Sequence, residues 1–183
     1  ERGRSPEDRS HIMVSTWIWQ PAFLRFANRG LNAALGGWEL SGILTFGSGT
    51  PFNILTGTDN LANGMTNSRP IVVGEWKLDP NRSRSEVMGA WFTKSSFVNP
   101  GAGQYGMGRN VVEGPGRKNL DASVKKAFRL TERYRLETRL DAFNATNWVN
   151  LGTPRNRMTD SQFGRITTVS GMRQVQLGVK FLW

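Results

Sequence analysis

The amino-acid sequence predicts an all-β protein, an antiparallel meander of about five long strands. Stretches in which apolar and polar residues alternate recur along the chain, and this period of two is typical of strands with one apolar face. The 183 residues include 21 glycines, seven tryptophans and ten phenylalanines. That composition is typical of strands joined by turns rather than of a helical bundle.

The first two strands are expected at residues 11–20 and 37–55. The first is rich in β-forming residues but alternates poorly, whereas the second alternates well. The segment between them, residues 21–37, has apolar residues at helical spacing and ends in Gly36-Gly37, a helix stop signal. A short helix-like turn is therefore expected between the two strands. The residues with helical spacing are Leu24, Ala27, Leu31, Ala34 and Leu35.

The other three strands are expected at residues 117–130, 132–148 and 172–183. Only Leu130-Thr131-Glu132 separates the first two of these, which indicates a tight turn. Two long polar segments, 56–116 and 149–171, form the remaining connections, with a short strand expected at Ile71–Val73. Alternation in the last strand continues to the final residue, so that one face carries Val175, Leu177, Val179, Phe181 and Trp183.

The aromatic residues indicate that these strands cross a membrane. If successive strands are antiparallel, both short connections lie at one edge of the sheet and both long ones at the other. Outer-membrane barrels have this asymmetry, with short periplasmic turns and long extracellular loops. Trp38 and Phe46 are eight residues apart, about 21 Å in a strand tilted by ~40°, close to the ~25 Å apolar band of such barrels. The predicted aromatic girdle consists of Trp17, Trp19, Trp38, Phe128, Tyr134, Phe181 and Trp183 at the short-turn edge, with Phe46 and Trp148 near the other edge.

The charged residues of these strands fall on the face opposite the apolar one. A barrel places that face towards its water-filled lumen, and mixed charges on neighbouring strands suit a hydrated lumen better than a phosphate-binding surface. Lys118 and Lys126 are exceptions, since both have the parity of the apolar face. Lys126 would have to extend past Phe128 to reach water. The predicted lumen-facing charges are Lys125, Arg129, Arg133, Arg135, Glu137, Arg139 and Asp141.

Composition excludes several classes of site. The chain has no cysteine and one histidine, so disulfides, thiolate metal sites and multi-histidine metal sites are excluded. Residues 101–106 satisfy G-x-G-x-x-G but follow Asn99-Pro100 instead of a strand, so we interpret them as a glycine-rich loop. Asp59, Asn60 and Asn63 lack the bidentate glutamate of a calcium loop and are interpreted as a turn. We therefore expect no enzymatic activity, no catalytic residues, no metal and no cofactor.

Several motifs resemble the barrel of Oar-like TonB-dependent outer-membrane receptors, whose N-terminus often carries a carboxypeptidase-regulatory-like domain. The likeness begins with Gly37-Trp38-Glu39-Leu40-Ser41-Gly42-Ile43 and Gly47-Ser48-Gly49-Thr50-Pro51-Phe52. It continues in family order over about residues 10–183. The later motifs are Gly106–Asn110, Gly114–Gly116, Leu130–Leu136, Phe143–Asn147, Phe163–Ile166 and Gln174–Leu177.

The resemblance implies a 22-stranded barrel around a plug domain, energised through TonB, in the bacterial outer membrane. The chain, residues 1–183, would be the C-terminal segment of that barrel, a single incomplete domain without plug or TonB box. Five strands agree with a partial barrel, since single-chain bacterial barrels have an even number. Implied partners are outer-membrane lipid and lipopolysaccharide, the rest of the barrel and plug, the barrel-assembly machinery and TonB. In this class a terminal aromatic strand such as Val175–Trp183 is the assembly signal.

Two functional hypotheses follow. The first is a fragment of a TonB-dependent transporter or receptor, which supplies barrel wall and extracellular loops for uptake or sensing of a ligand that the sequence does not identify. The second is a soluble basic β-protein that binds nucleic acid or polysaccharide, because 13 basic and five acidic residues lie in 117–183. Such a protein would carry its aromatics on the same face as Arg133, Arg135 and Arg139. Most aromatics have the opposite parity, which favours the first hypothesis and predicts no nucleic-acid partner.

Overall fold

The structure, a computed structural model, describes residues 3–21 and 28–183. The chain divides into two compact units. The sheet unit comprises Ile12–Phe46, Lys118–Val149 and Gly171–Trp183, and the loop unit comprises Glu1–His11, Gly47–Arg117 and Asn150–Ser170. Whether the whole chain is one incomplete domain stays a prediction.

Five long strands form one sheet in the order β1-β2-β7-β8-β11. Each long strand lies beside the next long strand along the chain, and β8 is antiparallel to both β7 and β11. The predicted all-β antiparallel meander is therefore confirmed. Strands β1 and β11 form the two edges, so the described residues make an open sheet and not a closed barrel. The long strands are β1 Ile12–Trp19, β2 Trp38–Gly47, β7 Arg117–Arg129, β8 Arg135–Phe143 and β11 Gln174–Leu182.

Strand β2 ends at Gly47, not at residue 55 as the sequence predicted. The backbone N–H of Ser48 donates to the carbonyl of His11, and the chain then turns away. A Cβ at Gly49 would collide with the carbonyl oxygen of Gly114, so this close approach of two backbones requires glycine. Residues 51 and 52 pair with residues 113 and 112 instead of extending the long strand.

Strand β8 is shorter at both ends than predicted. It begins at Arg135 because the turn before it is longer: the N–H groups of Leu130 and Thr131 both donate to the carbonyl of Tyr134. It ends at Phe143 because Asn144 adopts φ +48° and bonds through its side chain to both the N–H and the carbonyl of Trp148. Left-handed backbone of this kind ends a strand. Tyr134 and Trp148, predicted as strand residues, therefore lie just outside β8.

The connection between β1 and β2 contains the predicted short helix, α1, over Arg29–Leu35. The side chain of Asn28 accepts hydrogen bonds from the N–H groups of Gly30 and Leu31, which caps the helix N-terminus. The helix stops at the glycine pair, where Gly37 adopts φ +72°. Leu24 and Ala27, which contributed to the predicted spacing, lie outside the described residues.

The loop unit has its own hydrophobic core, which the sequence analysis did not foresee. Phe92 packs against Phe97 and Phe163 with ring centroids 5.2 and 5.1 Å apart. Ile54 and Val112 are also fully buried there. The two segments predicted as long connections therefore fold against each other around a few apolar residues. The short elements are β3 Pro51–Phe52, β4 Ile71–Val72, α2 Arg84–Gly89, β5 Phe97–Val98, β6 Val112–Glu113, β9 Asn150–Leu151 and β10 Val169–Ser170.

Asparagines, of which Asn110 is buried, hold the loop segments together by hydrogen bonds. The side-chain oxygen of Asn53 accepts from the N–H of Asn110 at 2.7 Å, and its carbonyl accepts from Asn156 at 2.7 Å. Asp59 accepts from the N–H groups of Asn63 and Gly64, so this acidic residue closes a turn. Side chain to backbone bonds of this kind are typical of ordered loops.

Candidate membrane-facing sheet

The register of the sheet brings the apolar residues of three strands onto one face. Directly opposed residues in antiparallel strands share a face, and the register pairs Val124 with Leu140 and Leu140 with Leu177. The apolar parity noted separately in each strand is thus continued across strand boundaries. This apolar face comprises Ala122, Val124, Lys126 and Phe128 of β7, Leu136, Thr138, Leu140 and Ala142 of β8, and Val175, Leu177, Val179 and Phe181 of β11.

The apolar face is exposed rather than covered by another layer of protein. Leu177 is 71% exposed and Val179 is 65% exposed, and both belong to the edge strand β11. Val175, on the same face of β11, is 61% exposed. Exposed apolar area of this extent marks an interaction or membrane surface.

The opposite side of the same strands, the charged face, carries ionic side chains. Arg139 Nε donates to Asp141 Oδ1 at 2.8 Å and to Ser123 Oγ at 3.2 Å. Two pairs of like charge nevertheless face each other directly. The basic residues so opposed are Lys125 with Arg139 and Arg129 with Arg135.

Directly opposed like charges are destabilising on a sheet, and water reduces their repulsion through its high dielectric constant. The charged face therefore requires a hydrated environment. Glu137 lies on this face, with Arg135 at 4.0 Å. Arg133, predicted as a strand residue of the same face, lies instead in the turn before β8, because that turn extends to Tyr134.

Stacked aromatic rings mark the short-turn end of β8 and β11. The Tyr134 ring stacks on Phe181 with centroids 5.8 Å apart, and Phe181 stacks on Trp183 at 6.2 Å. Phe181 is paired with Leu136, which is paired in turn with Phe128 of β7. Three of the predicted girdle residues thus form one continuous stack, although their role at a membrane interface stays a prediction.

Trp17 of β1 lies over Gly42 of β2. A Cβ at Gly42 would be 2.5 Å from Cζ2 of the indole and 3.0 Å from the carbonyl oxygen of Asp121 in β7. Gly42 therefore leaves room for the tryptophan ring where a side chain would otherwise project. A glycine within a strand often marks a close approach of another group. The sequence alone did not show that at Gly42 this group is the Trp17 ring.

At the long-loop end, Phe46 and Trp148 are in contact, with ring centroids 5.8 Å apart. They meet although Trp148 is not in a strand, because the Asn144 turn brings the loop back. The ammonium group of Lys118 lies 5.3 Å from the Trp148 ring centroid. One of the two lysines with apolar parity thus makes a cation–π contact at this end.

Lys126, the other lysine with apolar parity, is 5% exposed. Its Nζ donates to the carbonyl of Gly36 at 3.2 Å and lies 4.5 Å from the Trp38 ring and 5.0 Å from the Phe128 ring. From its parity, this side chain was predicted to extend past Phe128 to water, but its ammonium group lies beside that ring instead. A cation is favourable at this carbonyl because it lies at the C-terminal end of α1.

Comparison with known proteins identifies the family. In the described residues no helix is long and apolar enough to cross a membrane. Searches of the curated proteins and of the solved structures give no significant match. The sequence model of one family, described as "Outer membrane beta barrel domain", matches residues 1–176. The chain therefore belongs to the outer membrane beta barrel domain family, and it is located in the bacterial outer membrane.

Proposed function

We propose that the chain forms the last strands and two extracellular loops of a TonB-dependent transporter or receptor. Its apolar face contacts lipid, and its charged face lines the barrel lumen around a plug. The protein is not an enzyme in this proposal. It supplies part of the barrel wall and two extracellular loops for the uptake or sensing of a ligand that this chain does not identify.

The observation that carries the proposal is the register of β7, β8 and β11. It continues one apolar and one charged face over three strands, with opposed like charges that need water. Lipid on one side and a hydrated lumen on the other meet both requirements. The motifs shared with Oar-like receptors support the finer assignment to a TonB-dependent protein. A soluble protein that binds nucleic acid or polysaccharide does not agree with the family to which the chain belongs.

The terminal strand supports a role in assembly. Strand β11 is an edge strand, and among the described strands it pairs with β8 alone. Its other edge offers free backbone N–H and carbonyl groups, which a partner can recognise by adding a strand. We assign Val175, Leu177, Val179, Phe181 and Trp183 to the signal that the barrel-assembly machinery reads.

The test is the coding sequence upstream of this segment, followed by cross-linking in cells. We expect that sequence to encode further strands, a plug domain and a TonB-binding segment. A photo-crosslinker in that segment of the full-length protein should then yield an adduct with TonB in the intact cell envelope. A small barrel without a plug, or a plug that gives no TonB adduct, would contradict the transporter assignment and leave the outer-membrane location intact.

A further inference from the structure

A cavity of about 180 Å³ lies in the loop unit, between the segment after β2, the segment before β7 and the β9–β10 pair. Its walls include Thr50, Gly116, Asn150 and Thr153. Two arginines, Arg9 and Arg117, also line it. No sequence motif indicates a role for either arginine.

Glycines allow the chain segments around the cavity to approach closely. A Cβ at Gly49 would collide with the carbonyl of Gly114, and a Cβ at Gly116 would be 3.0 Å from the carbonyl of Gly47. At Gly47 itself, a Cβ would lie 3.2 Å from Nη1 of Arg9. The backbone thus forms part of the wall directly, and the Arg9 side chain fits against a position that carries no side chain.

Both guanidinium groups have N–H donors that form no hydrogen bond with the described residues. Arg9 Nη1 donates to the carbonyl of Ser48 at 3.1 Å, which uses one of the five N–H groups that a guanidinium carries. For Arg117, the residues that the structure describes supply neither a hydrogen bond nor an ion pair. Arginine is suited to phosphate because its planar group donates two parallel hydrogen bonds to one anion.

The cavity carries no compensating negative charge. Among the described residues that line it, none is Asp or Glu. The carboxylate nearest in sequence, Glu113, pairs with Arg4, and Asp8 pairs with Arg4 at 2.8 Å. Both acids thus pair with Arg4, whose single positive charge balances one of the two, and among the described residues neither carboxylate pairs with Arg9 or Arg117.

We propose that this cavity binds a phosphate group through Arg9 and Arg117. Its volume of about 180 Å³ is below the ~300 Å³ at which pockets for drug-sized ligands begin. It therefore takes a single phosphate group, either inorganic phosphate or the phosphate of a lipid headgroup. The proposal does not depend on a link to TonB, because it follows from the cavity alone.

The test measures binding of two probes to the detergent-solubilised chain. Inorganic phosphate is titrated by calorimetry. For the lipid probe, the solubilised chain is reconstituted into vesicles of a phosphate-free lipid, digalactosyldiacylglycerol, with or without lipid A. We expect one saturable site, weakened about tenfold or more by Arg117→Gln, since a hydrogen bond to a charged group contributes enough for that change. Arg9→Gln should have a similar effect. Arg109→Gln, which removes an exposed arginine of the same unit that does not line the cavity, should leave binding unchanged.

The two probes separate the sources of the phosphate. Saturable binding of free phosphate with this pattern of variants supports a soluble ligand. The same pattern with lipid A vesicles, without binding of free phosphate, supports a headgroup. Absence of saturable binding to both probes, or equal weakening by Arg109→Gln, would overturn the proposal. Arg117→Gln decides the outcome if Arg9→Gln disturbs folding through Ser48.

Discussion

Lys126 is a charged residue on an apolar face, and its contacts explain how the sheet accommodates it. The ammonium group bonds to the carbonyl of Gly36 and lies beside the rings of Trp38 and Phe128. It therefore links β7 to the end of α1 and the start of β2. A lysine on an apolar face thus connects β7, α1 and β2.

Replacing Lys126 by methionine should lower the free energy of unfolding by about 1–3 kcal/mol. The change removes a hydrogen bond from a charged group and contacts with two rings, while it preserves an unbranched apolar side chain. Urea unfolding in detergent measures the loss. Lys118→Met is the matched control and should cost less, because Lys118 is exposed whereas Lys126 is buried. Equal losses for both variants would contradict the role of the Gly36 carbonyl.

Gly42 should not tolerate a side chain. Gly42→Ala places a methyl group against the Trp17 indole and the Asp121 carbonyl, and overpacking of this kind costs about 1–3 kcal/mol. The same urea measurement tests it. Gly89→Ala, at a position where a Cβ meets no atom within 4 Å, should change stability by less than about 0.5 kcal/mol. Full stability of Gly42→Ala would show that the indole moves aside.

At the scale of elements, helix α2 and strand β11 differ in what stabilises them. Helix α2 is held by a capping box, in which Ser83 and Glu86 each bond to the other's backbone N–H. Strand β11 is held on one side by β8 and is open on the other. The helix is therefore stabilised locally, whereas the strand depends on a neighbour.

Ser83→Ala should raise the pKa of Glu86. The Ser83 hydroxyl and then its backbone N–H hold that pKa below its ordinary value, so the cap stabilises α2 above the ordinary pKa of glutamate. The stabilisation is lost as the pH falls through the lowered pKa. An NMR titration of the Glu86 carboxyl, with and without the substitution, measures the change. An unchanged pKa would mean that the backbone bond alone holds the carboxylate.

Trp183→Ala should impair biogenesis more than folded stability. The indole ends the aromatic stack on Phe181 and contributes roughly 1.5–3 kcal/mol when buried, which is small for a closed barrel. Outer-membrane levels of the full-length protein measure the effect, with Leu182→Ala as control because Leu182 lies on the charged face opposite Arg135. Degradation of the Trp183 variant alone supports the assembly signal. Equal levels of both would leave Trp183 an interfacial residue only.

At the scale of the whole molecule, the sheet unit leaves an apolar face and two strand edges exposed. Hydrophobic residues in β1 and β11 are among the most exposed apolar side chains of the described chain. The loop unit, in contrast, encloses its aromatic core. The sheet unit thus leaves apolar side chains exposed, whereas the loop unit buries a core of its own.

The isolated chain should therefore aggregate unless detergent is present. Exposed apolar area and unpaired edges both favour association. Size-exclusion chromatography with and without detergent measures it. Recovery of a detergent-free monomer that unfolds cooperatively would contradict the membrane-facing assignment of the apolar face.

The sequence by itself determined the number of long strands, their order and the two faces of β7, β8 and β11. Alternation is a local property, so Val175, Leu177, Val179 and Phe181 share a face whatever lies beside them. Helix α1 could likewise be predicted from the sequence, because the glycine pair that ends it is a local signal. The outer-membrane character followed from the same patterns together with the shared motifs, and the family confirms it.

Only the tertiary structure decided where the strands end, which groups the Lys126 side chain contacts and how the loop segments pack. Strand β2 ends where Gly49 meets Gly114, and such a meeting depends on residues far apart in the chain. The core around Phe92 is formed by single apolar residues from segments that are distant in sequence. Such isolated residues form no periodic pattern from which a core could be predicted. The proposed phosphate cavity needs Arg9, which precedes β1, and Arg117, which begins β7, to lie close together. Contacts of this kind are set by chain closure and packing, which no local pattern encodes.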